Sequence, residues 1–165
     1  SVVHSDIKPT NILISNEGQV FITDFGIARA AGEATITKPG EVPGTPLYIS
    51  PEQAAGGEGD KRSDIYSLGV VIYQMITGRV PFDGTEPGVV LQKHQSEAPV
   101  WPEKVRPGLS KPLIEIVTRC LEKDPERRYQ NAQEIIDKLP LFKSAAPELA
   151  DLVAEAEKYT ISMDL

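Results

Sequence analysis

Apolar residues first cluster in two short blocks, Ile12-Leu13-Ile14 and Val20-Phe21-Ile22, separated by Ser15-Asn16-Glu17-Gly18. Short runs rich in β-branched and aromatic residues around a polar turn predict a β-hairpin. Residues 27–50 are rich in Gly, Pro, Thr and Ala and show little periodicity, which predicts a long loop. Loops of that length in compact domains are usually functional or mobile. Gly56-Gly57-Glu58-Gly59 predicts a flexible connector. From Asp64 to Thr77 the apolar positions 65, 68, 72, 75 and 76 have helical spacing with a broad buried face, and Gly78 is the stop. Asp64 itself reads as a helix N-cap. Pro81-Phe82-Asp83-Gly84 predicts a turn, Pro87–Gln95 a shorter helix, and the proline-containing stretch 97–110 a loop. Ser110 is placed to cap a helix carrying Leu113, Ile116, Val117, Cys120 and Leu121 on one side. Asn131 with Glu134 resembles a capping box, opening a helix with Ile135, Ile136 and Leu139 facing inward and Pro140 at its end. Residues 147–159 predict a further acidic, Ala-rich helix. The pattern is that of a mainly α chain with one small hairpin.

Composition narrows the class without fixing it. A chain of 165 residues, 40% hydrophobic and 25% charged, is long and apolar enough for one domain with a sizeable core. The net charge of −7 and the lack of a basic stripe argue against nucleic acid as a partner. A single cysteine, Cys120, rules out an internal disulfide and suits a reducing compartment, and its place beside Leu121 reads as core. No apolar run reaches the roughly 18–20 residues of a membrane helix, so no membrane contact is expected from this segment. A cytoplasmic location is expected for it, with any membrane tether of the parent lying elsewhere. His94 lies in a polar stretch and reads as a surface residue. The mixed charges of Glu122-Lys123-Asp124 and Glu126-Arg127 read as a solvated face.

The candidate chemistry sits on both sides of the hairpin. His4-Ser5-Asp6-Ile7-Lys8-Pro9-Thr10-Asn11 precedes it and Asp24-Phe25-Gly26 follows it. A hairpin returns Asp24 toward the loop that holds Asp6 and Asn11. Phosphoryl transfer needs positioning and charge neutralisation more than covalent help. Asp6 can accept or orient a hydroxyl proton, Lys8 can balance charge on a migrating phosphoryl group, and Asn11 and Asp24 are hard oxygen ligands suited to Mg²⁺. Pro9 fixes its own φ and biases Lys8 toward an extended backbone, so the segment reads as a loop.

These residues, with Ser50-Pro51-Glu52, Asp64-Ile65-Tyr66-Ser67-Leu68-Gly69 and Asp124-Pro125-Glu126-Arg127-Arg128-Tyr129, resemble in order the motifs of the C-terminal lobe of eukaryotic-type Ser/Thr protein kinases. The chain is most similar to bacterial members of that family. The resemblance implies a protein-kinase-like C-lobe over residues 1–140: a helical bundle with a small hairpin at the active site, mainly α within an α+β parent. It leaves residues 141–165 as a C-terminal helical extension, and it implies that the N-terminal lobe is absent from the chain. Its cofactors are ATP and Mg²⁺ and its partners are protein substrates and the missing lobe in cis. Asp6 and Lys8 are the implied catalytic residues, with the Thr45 hydroxyl bonding both. Lys8, Asn11 and Asp24 are implied to contact the nucleotide–metal complex, Asn11 and Asp24 as metal ligands. Glu52 and Arg128 form an implied structural ion pair, His4 packs near the Asp-Phe-Gly triplet, and Asp64 also holds the catalytic-loop backbone. Lys8 two residues after Asp6, and Gly44-Thr45 before Pro46, are the Ser/Thr-kinase choice.

One residue departs from the pattern. Ser5 stands where the family has an Arg that receives the phosphate of a phosphorylated activation loop, and serine cannot form that bidentate pair. Activity is therefore expected to depend less on activation-loop phosphorylation, with Thr35 and Thr37 as candidate phosphosites. The chain alone is expected to be inactive for want of the nucleotide clamp. Two other readings stand beside the kinase: a pseudokinase-like binding module, which loss of an upstream glycine loop and lysine would favour, and a small-molecule phosphotransferase, which the Ser-Pro-Glu and Asp64–Gly69 segments count against.

Overall fold

In the computed structural model, residues 2–24 and 46–143 are described. The segment containing Phe25, Gly26, Thr35, Thr37 and Thr45, and the expected helix at 147–159, lie outside the described residues. The hairpin forms as the apolar blocks predict. Strand β1 (Ile12–Ile14) pairs antiparallel with β2 (Val20–Ile22), Leu13 opposite Phe21. Ser15 closes the turn through its hydroxyl, which accepts from the Glu17 and Gln19 amides, and Gly18 takes the positive φ.

Six helices follow. They are α1 (Pro51–Ala54), α2 (Lys61–Thr77), α3 (Pro87–Ser96), α4 (Pro102–Val105), α5 (Lys111–Cys120) and α6 (Ala132–Lys143). Helix α2 begins earlier than its apolar spacing predicts because Asp60, not Asp64, is its cap. The Asp60 carboxylate accepts from the Arg62 amide, and the Ser63 hydroxyl accepts from the Asp60 amide. It ends on Gly78 in the left-handed conformation, as expected. Helix α4 interrupts the stretch read as loop, with Pro102 at its first turn, where a missing N–H costs nothing. Helix α6 runs through Pro140 to Lys143 rather than ending there. Its opening follows the expected box in part: Asn131 Oδ1 accepts from the Glu134 amide, while the Glu134 carboxylate reaches the Gln130 amide. Ser110 sits at the cap position of α5, but its hydroxyl makes no capping bond and has no partner among the described residues.

Helix α2 is buried nearly all round its middle, in keeping with the broad buried face expected from its spacing. Tyr66, Val70, Tyr73 and Ile76 pack on Leu113 and Val117 of α5 and on Leu121. Ile65 joins Ile116, Cys120, Tyr129 and Ile135 in a second cluster, with Leu68 packed against it. Met75, which falls on the predicted stripe, is 67% exposed because no described element covers it. Where α2 crosses α5 the backbones are so close that a Cβ on Gly69 would lie 2.5 Å from Cys120 Cβ. Cys120 is fully buried there, as its apolar setting predicts. Among the described residues no helix is long and apolar enough to cross a membrane.

Two residues read as surface are not. His94 is fully buried: it shares the inner face of α3 with Val90, at i and i+4, and only its sequence neighbours are polar. The Tyr66 hydroxyl and His94 Nδ1 share a hydrogen bond at 3.0 Å, and the His94 ring packs edge-on against Phe82. Lys123 is half-buried in the same cluster. Its ammonium donates to the carbonyls of His94 and Lys93 and to the Tyr66 hydroxyl, and lies 4.2 Å from the Phe82 ring centroid. Burial, aided by the Arg128 charge, brings the Lys123 ammonium down to about 8. Burial first, then the Lys123 charge, holds the His94 imidazole at about 4, although the Leu47 backbone pulls slightly the other way. The folded state thus binds fewer protons than the unfolded one between pH 6.5 and about 4. Stability is therefore expected to fall as pH drops through that window. Thermal unfolding at about pH 7 and about pH 5 should show a smaller drop in His94→Gln than in the wild type.

Candidate active site

The loop before the hairpin is anchored at alternate points. His4, Ile7 and Asn11 are buried while Asp6 is exposed between them. Lys8 is extended at φ −159°, ψ 161°, as a residue before proline should be, and Pro9 opens a 3₁₀ turn that ends at Asn11. The turn delivers the chain directly into β1.

Asp64, one turn into α2, holds this loop from below. Its carboxylate accepts from the His4 amide and from the Ser5 amide, each at 2.8 Å. His4 Nε2 donates to the Thr23 carbonyl at 2.9 Å, and its Nδ1 accepts from the Asp6 amide at 3.3 Å. One neutral tautomer satisfies both contacts and ties the loop to the far strand. Asn11 closes the ring: its Nδ2 donates to the Asp6 carbonyl at 2.9 Å and to the Asp6 carboxylate at 3.0 Å. Lys8 Nζ lies 2.7 Å from Asp6 Oδ2. Both side chains remain more than a third exposed, so this ion pair is weakly held, and Lys8 is free to exchange it for another anion.

Asp24 arrives at the same end. The Thr23 amide donates to the Asn11 carbonyl at 2.9 Å, so the residue before Asp24 is bonded to Asn11 across the hairpin. Asp24 adopts φ 57°, and Ser5 φ 66°; these are the only non-glycine positive φ values among the described residues, one at Asp24 itself and one at the residue before Asp6. The Asn11 amide nitrogen is committed to Asp6, which leaves Oδ1 without a hydrogen-bond partner among the described residues. An amide oxygen and an exposed carboxylate brought to one end of a hairpin fit a hard divalent cation that completes its shell with phosphate and water.

The expected ion pair forms as a fork. Arg128 is fully buried and donates from both terminal nitrogens to the Glu52 carboxylate, at 2.8 and 2.7 Å. Its remaining N–H groups go to the carbonyls of Glu122, Arg62 and Lys123, so all five donors are used. Burial raises the Glu52 carboxyl, but the hydrogen bonds from Arg128 and from the Ser63 hydroxyl outweigh it and hold the group at about 2. Glu52 lies in the first turn of α1, whose cap is a complete Ser50–Gln53 box. Sequence reasoning passed over Ser63 and Gln53, although Ser50-Pro51-Glu52-Gln53 carries the spacing of that box.

A family model described as the protein kinase domain matches residues 1–139. A probable serine/threonine-protein kinase of Clostridium acetobutylicum is 44% identical over 163 residues, covering 99% of this chain and 24% of that protein. Another from Clostridium perfringens is 44% identical over 142 residues, 86% of this chain and 21% of its own length. The serine/threonine-protein kinase PknB of Mycobacterium tuberculosis is 41% identical over 163 residues, 97% of this chain and 26% of its own. The chain spans about a quarter of the length of these curated relatives. The expected likeness to bacterial kinases is borne out.

Proposed function

The chain belongs to the protein kinase family, and from that premise we propose that its catalytic loop moves the γ-phosphoryl group of ATP onto Ser or Thr hydroxyls of protein substrates. The observation that carries this reading is the bonded unit of Asp6, Lys8 and Asn11, held on Asp64 and His4. Asp6 orients the incoming hydroxyl and takes its proton. The hydroxyl oxygen bonds to the γ-phosphorus as the bond to the bridging oxygen breaks, and ADP leaves. Lys8 turns from Asp6 to the migrating phosphoryl oxygens. Asn11 and Asp24 would hold Mg²⁺, which when bound offsets phosphate charge. By the family resemblance alone, the Thr45 hydroxyl, outside the described residues, would bond Asp6 and Lys8. Glu52–Arg128 has a structural role.

In this reading residues 1–140 form the C-terminal lobe and 141–165 an extension. The family match ending at residue 139 supports that boundary, which falls inside α6. The sequence holds no G-x-G-x-x-G segment, so the nucleotide clamp comes from outside these 165 residues, and the chain alone is not expected to transfer phosphate. The test is transfer of labelled γ-phosphate from Mg²⁺-ATP to a generic protein substrate by the full-length protein. Label on serine or threonine supports the proposal, and label on tyrosine alone or on nothing overturns it.

Ser5 adds a second expectation. Without an arginine to receive an activation-loop phosphate, Thr35→Ala/Thr37→Ala in the full-length protein should keep most of its activity. Initial rates with the same substrate check this, and loss of activity in the double variant would sink the idea.

A further inference from the structure

The Ser5–Asp6 peptide is gripped at both of its polar atoms by side chains. Its N–H donates to His4 Nδ1 at 3.3 Å. Its carbonyl accepts from Gln53 Nε2 at 3.5 Å, a long contact that joins the loop to α1. Ser5, on one side of this peptide, has φ 66°, where a serine stays only if its surroundings over-determine it. Asp6, on the other side, carries the proposed base.

Gln53 is itself fixed. It is buried, and its Oε1 accepts from the Ser50 amide at 3.3 Å and from the Ser50 hydroxyl at 3.0 Å. With the oxygen facing an N–H, the amide nitrogen must face Ser5. Gly59 completes the seat, since a Cβ there would lie 2.9 Å from Gln53 Nε2. An ordinary capping-box residue needs only the acceptor half of this side chain. The donor half serves the catalytic loop.

We propose that Gln53 is a positioning residue for Asp6: by holding the Ser5 carbonyl it maintains the left-handed turn that aims the Asp6 carboxylate, and it ties the start of α1 to the catalytic loop. The proposal rests on the kinase reading for its activity readout but not for its structural one.

Gln53→Glu separates the two halves, because glutamate also serves in capping boxes yet its carboxylate cannot donate to Ser5. Gln53→Met removes both. In full-length protein with Mg²⁺-ATP and a Ser/Thr peptide, Gln53→Glu should lower kcat on the order of tenfold with KM for ATP and peptide unchanged. The buried carboxylate facing the Ser5 carbonyl should lower the melting temperature somewhat, so rates are compared well below each variant's transition, and hydrogen exchange of the Asp6 amide should be faster. Unchanged kcat in both variants overturns the proposal. So does a loss confined to Gln53→Met that tracks a lower melting temperature, which makes Gln53 a cap and nothing more. If the wild-type protein transfers no phosphate, the kinase reading fails, and Asp6 amide exchange alone decides: faster in Gln53→Glu sustains the positioning role, unchanged removes it.

Discussion

Asp6→Asn in the full-length protein is expected to lower kcat for phosphoryl transfer by roughly 10²–10⁴-fold, the range that a positioned acid or base supplies. Asparagine is nearly the same shape, and its amide oxygen can still accept from Asn11 Nδ2. The Asp6 carbonyl and amide contacts are backbone contacts and survive the change. What is lost is a group that can take a proton, together with the ion pair to Lys8. Both side chains of that pair are more than a third exposed, so its loss should change stability by less than about 1 kcal/mol. The readout is therefore a fall in kcat with little change in KM for ATP or in thermal unfolding. Equal rates in variant and wild type would remove Asp6 from the chemistry, and no transfer by either would favour a binding module over an enzyme.

Arg128→Met is expected to destabilise the fold by about 3–5 kcal/mol, the usual effect of breaking one side of a buried ion pair. The arginine is fully buried and serves the Glu52 carboxylate and three backbone carbonyls at once. Methionine fills the volume but leaves those acceptors without their donors. The urea midpoint measures the loss, and Glu52→Leu/Arg128→Met should recover part of it, because the orphaned carboxylate goes too. The same pair sets an acid limit. Glu52 is held at about 2 in the fold against 4.5 as its ordinary value, so its contribution is complete above pH 4.5 and disappears as pH falls toward about 2. Arg128→Met should flatten that acid limb. A variant as stable as the wild type would show that the fork adds nothing.

Local chemistry made much of this molecule readable. The hairpin was legible because its two apolar blocks and its turn each obey short-range rules, and its register follows from them. The ring of Asp6, Lys8 and Asn11 was legible because the three lie in one turn of chain, where spacing nearly determines distance. Longer reach was harder to read. His94 and Lys123 look polar beside their neighbours, but burial is decided by elements far along the chain, Tyr66 and Phe82 here. The broad buried face of helix α2 is legible in its spacing, but the partners that cover it are not: α5 and the segment leading into α6 take two of its sides. The Gln53 contact crosses from α1 to a loop whose backbone shape no propensity scale anticipates.

The tight crossing at Gly69 also furnishes a built-in clock. Cys120, the sole thiol of the sequence, has its Cβ wedged where the two backbones meet, and burial pushes its sulfhydryl up to about 12. A thiol reagent can reach it only when the helices part, and only an ionised sulfur reacts quickly. The alkylation rate under native conditions therefore reports how often α2 separates from α5, with no residue changed.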